Sequence, residues 1–169
     1  MVVLMLSGIG LITGQTFKLF EPLTAWATHR ALGIAFSIAL FIHIFALLFD
    51  KFVPMNIIQV LVPFTSTYLP ITIWGIHFGT LWTAFGIVAM YMTFIIVATS
   101  LLWIEKKPYL WRFIHFFSYA VLALVFFHGL FMGTDLSHGS FRFLWIAMGV
   151  GVIAYIVVRL KRAGTTKAQ

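Results

Sequence analysis

Cysteine is absent from the 169 residues. That excludes disulfides, cysteine-ligated iron–sulfur clusters and any cofactor attached through thioethers. Charge is scarce too: Lys, Arg, Asp and Glu make up 9% of the chain, and only four of those residues are acidic. A soluble domain carries about 25% charged residues, and here the longest polar stretch is the tail from Arg159 to Gln169. No soluble domain fits in what remains. The sequence also lacks a G-x-G-x-x-G or other dinucleotide fingerprint, a low-complexity segment and anything like a nucleic-acid module.

Hydrophobic residues fill the space, at 62%. They fall into five runs, roughly 1–19, 28–49, 79–104, 111–132 and 141–160, near the ~20 residues that cross a bilayer as a helix. The first run has neither the basic start nor the A-x-A-like site of a signal peptide and reads as a short transmembrane helix. The expectation is an all-α integral membrane protein: one domain over 1–169, a bundle of five transmembrane helices in contact with lipid. The connection Asp50 to Phe78 holds Pro54, Pro63 and Pro70, which break helices. Its apolar stretch, Ile57 to Phe64, is too short to span and is expected at the membrane surface or packed over the bundle.

The net charge of +7 reports topology. With five spans, the 1–2 loop, the 3–4 loop and the tail carry Lys18, Arg30, Lys106, Lys107, Arg112, Arg159, Lys161, Arg162 and Lys167, against Lys51 and Arg142 on the other side. By the positive-inside rule the N-terminus is outside and the tail cytoplasmic. Trp26, Trp103 and Trp111 then fall near the inner interface, and Trp74, Trp82 and Trp145 near the outer one, as an aromatic belt.

Polar residues inside such spans are expensive and are candidates for function. His29 and His43 lie fourteen apart in the second span, and His115 and His128 thirteen apart in the fourth. Both spans run in the same direction, so His29 and His115 share the inner depth, and His43 and His128 the outer. At 1.5 Å per residue the two levels are ~21 Å apart. That suits two non-covalent b-type haems, each held by one imidazole from each helix, with histidines as axial ligands of six-coordinate iron. At ~100° per residue, His29 and His43 share a face, whereas His128 ends about 140° from His115. A π-bulge, a bend or a different haem azimuth must absorb the difference. The alternative is that these are packing histidines bonded to carbonyls or hydroxyls. Arg30 adjoins His29 and Arg112 lies one turn before His115. Both are candidate partners of haem propionates and equally ordinary positive-inside anchors. His77 and His138, the latter near Asp135, fall in outer loops, as an exit site for a metal or electron acceptor or as solvated loop residues. Phe36 lies midway between the two histidine levels, where packing is the plainer reading. The second and fourth spans look alike, a weak internal repeat.

His29, Arg30 and Gly33 with His43, then Trp111, Arg112, His115, Tyr119, His128 and the run Gly133 to Asp135, resemble the ferric-reductase-like transmembrane domain shared by ferric reductases, NADPH oxidases and bacterial relatives. The prolines and aromatics between Leu61 and Pro70 are similar to small bacterial members. The resemblance covers nearly the whole chain. It implies two haem b stacked between helices, His29 and His115 on the inner one, His43 and His128 on the outer. Electrons would pass from a cytoplasmic flavin and NAD(P)H to an acceptor outside. Two departures stand out. Many members have six spans against five here, and many carry a flavin and nicotinamide domain that does not follow the last span. The expected partner is therefore a separate cytoplasmic flavoprotein reductase or other donor docking on the basic tail. The acceptor would be ferric iron, a flavoprotein or, through a partner reductase, oxidised methionine. The expected location is a bacterial cytoplasmic membrane. Two other readings are the haem anchor of a larger quinone-linked dehydrogenase and a haem-free scaffold or transporter.

Overall fold

The computed structural model describes all residues except 19, 52, 69, 70, 74, 75, 79, 137, 138 and 167–169. Its elements in chain order are α1 (Val2–Thr13), α2 (Pro22–Leu47), α3 (Ile57–Leu61), the strands β1 (Ile71–Ile73) and β2 (Ile76–Phe78), then α4 (Leu81–Leu102), α5 (Pro108–Phe116), α6 (Ser118–Met132) and α7 (Gly139–Thr166). The chain is overwhelmingly helical. Four helical stretches are long and apolar enough to cross a membrane: α2, α4, α5 with α6 taken together, and α7.

The first expected span is shorter than its hydrophobic run. Helix α1 has 12 residues, about 18 Å at 1.5 Å per residue, against a hydrocarbon core of ~30 Å. It stops at Gly14, whose φ of 71° is the left-handed cap that glycine adopts without strain. The following turn folds Thr16 back onto Gly10, where no side chain larger than hydrogen fits. Helix α2 begins earlier than its apolar run, because Pro22 at the first helical position has the required φ and no N–H to satisfy.

The chain forms two compact units. In the first, Met1–Leu32 with Thr134–Gln169, α1 buries Met5 and Ile9 and touches α7, which buries Val152. The Tyr155 hydroxyl on α7 donates to the side-chain oxygen of Gln15. Ala25 is buried on the first turns of α2.

The second unit, Gly33–Gly133, is organised by α4, packed chiefly on α6. A third of the most apolar stretch of α4 is buried, against 6% in α5–α6. Its buried residues are Thr83, Ala84, Ile87, Ala89, Met90, Thr93, Ile96 and Thr99. Five of these eight are Ala or Thr, and small residues are what allow helices to approach closely where lipid removes the hydrophobic drive. Thr93 and Thr99 return their hydroxyls to their own helix, at Ala89 O (2.7 Å) and Ile95 O (2.8 Å). Both of these hydroxyls are thereby satisfied within the helix, whereas that of Thr80, buried at its start, has no partner among the described residues.

The connection between α2 and α4 is ordered locally. A capping box between Asn56 and Gln59 starts α3, and β1 pairs antiparallel with β2 in the register Ile71↔Phe78, Thr72↔His77, Ile73↔Ile76. This short hairpin is the one departure from an all-α chain among the described residues. The apolar segment touches α4 on one side: Val60 is buried and the Tyr91 hydroxyl donates to the Leu61 carbonyl at 2.9 Å, while Ile57, Ile58 and Phe64 are exposed. Tyr91 is near the middle of α4, so α3 reaches down beside that helix. A carbonyl at that depth needs a protein donor. Tyr91→Phe is expected to cost about 1 kcal/mol, read as a lower melting temperature and faster proteolysis between Lys51 and Thr80.

Helices α5 and α6 meet at Phe117, whose N–H bonds Ile114 O at 3.1 Å, three residues back instead of four. A turn of that kind rotates the chain by about 120° per residue instead of ~100°. Overwinding of this sense turns His128 toward the side of His115 and not away from it.

Candidate functional site

His43, on α2, and His128, on α6, face each other within the second unit. Their ring centroids are 6.5 Å apart and the planes are nearly perpendicular, at 79°. His128 is held from behind. Its Nδ1 lies 2.8 Å from the carbonyl oxygen of Trp82 in the first turn of α4. A carbonyl only accepts, so Nδ1 carries the proton and donates, and Nε2 carries the lone pair. The ring lies against Gly86, one turn on: a Cβ there would sit 2.6 Å from both Cε1 and Nδ1 of His128. Trp82 is fixed in turn by stacking on Phe131, with centroids 4.0 Å apart and planes 20° apart. His43 is exposed, as are Phe41, Ile42 and Phe45 beside it. No residue in the most apolar stretch of α2 is buried, and the space where a Gly33 Cβ would sit is open to 4 Å. This face is left for lipid or an apolar cofactor.

His29 belongs to the first unit. Its Nδ1 lies 2.8 Å from the Ser7 hydroxyl on α1, which gives its own proton to Leu4 O at 2.7 Å. The hydroxyl is therefore the acceptor and His29 the donor. Gly8 makes room for the ring: a Cβ there would be 2.9 Å from Cε1 of His29. His115, in the second unit, repeats the pattern. Its Nδ1 is 3.3 Å from the Ser100 hydroxyl on α4, and the Trp111 ring packs beside it with centroids 5.2 Å apart. Three of the four histidines thus have Nδ1 tied to an oxygen on a neighbouring helix. That is how metal-ligating imidazoles are oriented, with the other nitrogen turned to the metal.

The separation of the pair is that of two imidazoles sharing one metal ion. Two imidazoles on opposite sides of one metal ion, with bonds of about 2 Å, have ring centres about 6.3 Å apart, close to the 6.5 Å between His43 and His128. Among the described residues no three His, Cys, Asp or Glu gather into a cage for a bare metal ion. A porphyrin brings four nitrogens of its own and asks the protein for two.

The Arg30 guanidinium lies over the Trp26 ring, 5.5 Å from its centre, and Lys107 is placed likewise over Trp103 at 5.1 Å. Such cation–aromatic pairs belong at a membrane interface. Arg112 is exposed on α5. His77 lies on β2, His138 lies outside the described residues, and Asp135 is exposed in a single 3-10 turn, Thr134–Leu136. Phe36 is half-buried on α2. Sequence reasoning missed Ser7, Gly8, Trp82, Gly86 and Ser100. Small residues interrupting an apolar run were the available signal for four of them; a backbone carbonyl leaves none. The chain matches no protein-family profile, no curated protein and no solved structure.

Proposed function

We propose that this chain is a diheme b-type transmembrane electron-transfer protein. His43 and His128 hold one haem and His29 and His115 the other. The observation that carries this is the His43–His128 pair: two imidazoles on separate membrane-length helices, with ring centres 6.5 Å apart, which would hold the group between them. When bound, the iron supplies one-electron chemistry between its ferric and ferrous states. His43 with His128, and His29 with His115, would hold the two groups, and the protein's part is to fix the tautomers of His29, His115 and His128 through Ser7, Ser100 and Trp82 O.

The reading extends to five spans with the N-terminus outside, α1 serving as a short fifth span, and to a cytoplasmic tail. The nine-to-two split of basic residues supports it. Electrons pass from a cytoplasmic flavoprotein reductase to an acceptor outside a bacterial cytoplasmic membrane, in the manner of a ferric reductase. The experiment is a dithionite-reduced minus oxidised spectrum of the purified chain with pyridine haemochrome quantification. The expected result is about two b haems per chain, as two axial histidine pairs require. A colourless protein after haem-replete expression overturns the proposal and leaves a scaffold or transporter.

A further inference from the structure

The hydroxyl of Ser100 is used to capacity. It donates to Ile96 O at 2.6 Å, and accepts from Trp111 Nε1 at 3.0 Å and from His115 Nδ1 at 3.3 Å. A serine hydroxyl has one proton and two lone pairs, and all three are spoken for. The indole N–H only donates, and the short bond to Ile96 O takes the serine proton. His115 is left as a donor, so its lone pair is on Nε2. The acceptor it finds is nevertheless poor, because the bond is long and the oxygen is shared with Trp111. His128 has a carbonyl at 2.8 Å. The two histidines of the α5–α6 pair therefore differ in how strongly their Nδ1 protons are drawn.

We propose that Ser100 is a positioning residue for His115, and that the indole of Trp111 competes with the imidazole for its oxygen. The hydroxyl fixes the ring's tautomer and orientation. The competition sets the ring's basicity below that of His128, so the two haem sites differ in potential. The inference rests on the proposed function, since it takes His115 to be an axial ligand. Drawing off the Nδ1 proton makes an imidazole a stronger donor to iron and favours the ferric state. Losing the acceptor does the reverse. Ser7 holds His29 by the same device, its hydroxyl donating to Leu4 O and accepting from His29 Nδ1.

The test is a potentiometric titration of the purified full chain, followed in the haem α-band, with Ser100→Ala, Ser100→Thr and Trp111→Phe beside the parent. In the parent, two b haems titrate. In Ser100→Ala one wave moves to more positive potential while the other holds, and Ser100→Thr restores it. In Trp111→Phe the same wave moves the opposite way, because His115 gains sole use of the oxygen. This opposition of sign is a readout that mere loosening of the helices does not produce. Loss of one haem in Ser100→Ala, regained in Ser100→Thr, also supports positioning. Two haems with neither wave shifted in Ser100→Ala and Trp111→Phe overturn the role of Ser100 and leave the diheme reading standing. A parent without haem overturns that reading itself. Should Ser100→Ala fail to accumulate, the sign of the Trp111→Phe shift decides.

Discussion

His128→Ala removes one of the two haems and leaves the other: the purified variant carries about half the parent's haem by pyridine haemochrome, because an iron with two protein ligands loses its seat when either is removed. The fold is expected to survive. The substitution frees the Trp82 carbonyl from one donor, but that carbonyl sits in the first turn of α4 and keeps its intrahelical partner. His43→Ala gives the same loss, since the two rings face each other across one gap. The double variant is no worse than either single one, the mark of two residues serving one site. His29→Ala and His115→Ala each spare the haem held by His43 and His128. Two haems with an unchanged spectrum in His128→Ala would sink the assignment of that ligand.

Gly86→Ala is expected to do nearly the same damage from a neighbouring helix. In an exposed helix this change stabilises by roughly 0.5–1 kcal/mol, because glycine is the poorer helix former. Here the added methyl would sit 2.6 Å from Cε1 and Nδ1 of His128 and 3.1 Å from Cγ. Rotating the imidazole relieves only part of this, since Cγ is at the root of the ring. The ring must leave, breaking its bond to Trp82 O and its alignment with His43. The expected outcome is loss of one haem from a protein that still folds and melts near the parent temperature. Gly151→Ala on α7, where the space for a Cβ is open, is the matched control and keeps both haems. Equal haem content in the two variants would show that Gly86 does not shape the site.

The four membrane-length helices were legible because hydropathy is carried by each residue's own side chain and survives being read along a line. The histidines were legible for the same reason: an imidazole in an apolar run stands out without knowing its neighbours. The length of α1 was less so. Its hydrophobic run continues past Gly14, but the left-handed cap there and the return of Thr16 onto Gly10 end the helix early. The signal was a single glycine in a chain that has 13. The start of α2 at Pro22 is a backbone preference that hydropathy does not register. The same is true of the tightened turn at Phe117; no residue type marks it.

What the sequence alone determined is which residues are out of place in an apolar run, at what spacing, and between which runs the charges gather. It could not determine what holds them. Ser7, Ser100, Gly86 and the carbonyl of Trp82 act through position: an ordinary serine becomes an acceptor only when a histidine from another helix arrives within about 3 Å. A glycine becomes necessary only when a ring lies where its Cβ would be. The separation of His43 from His128 is of the same kind, a distance between residues 85 apart in the chain (128 − 43) that only the folded chain fixes.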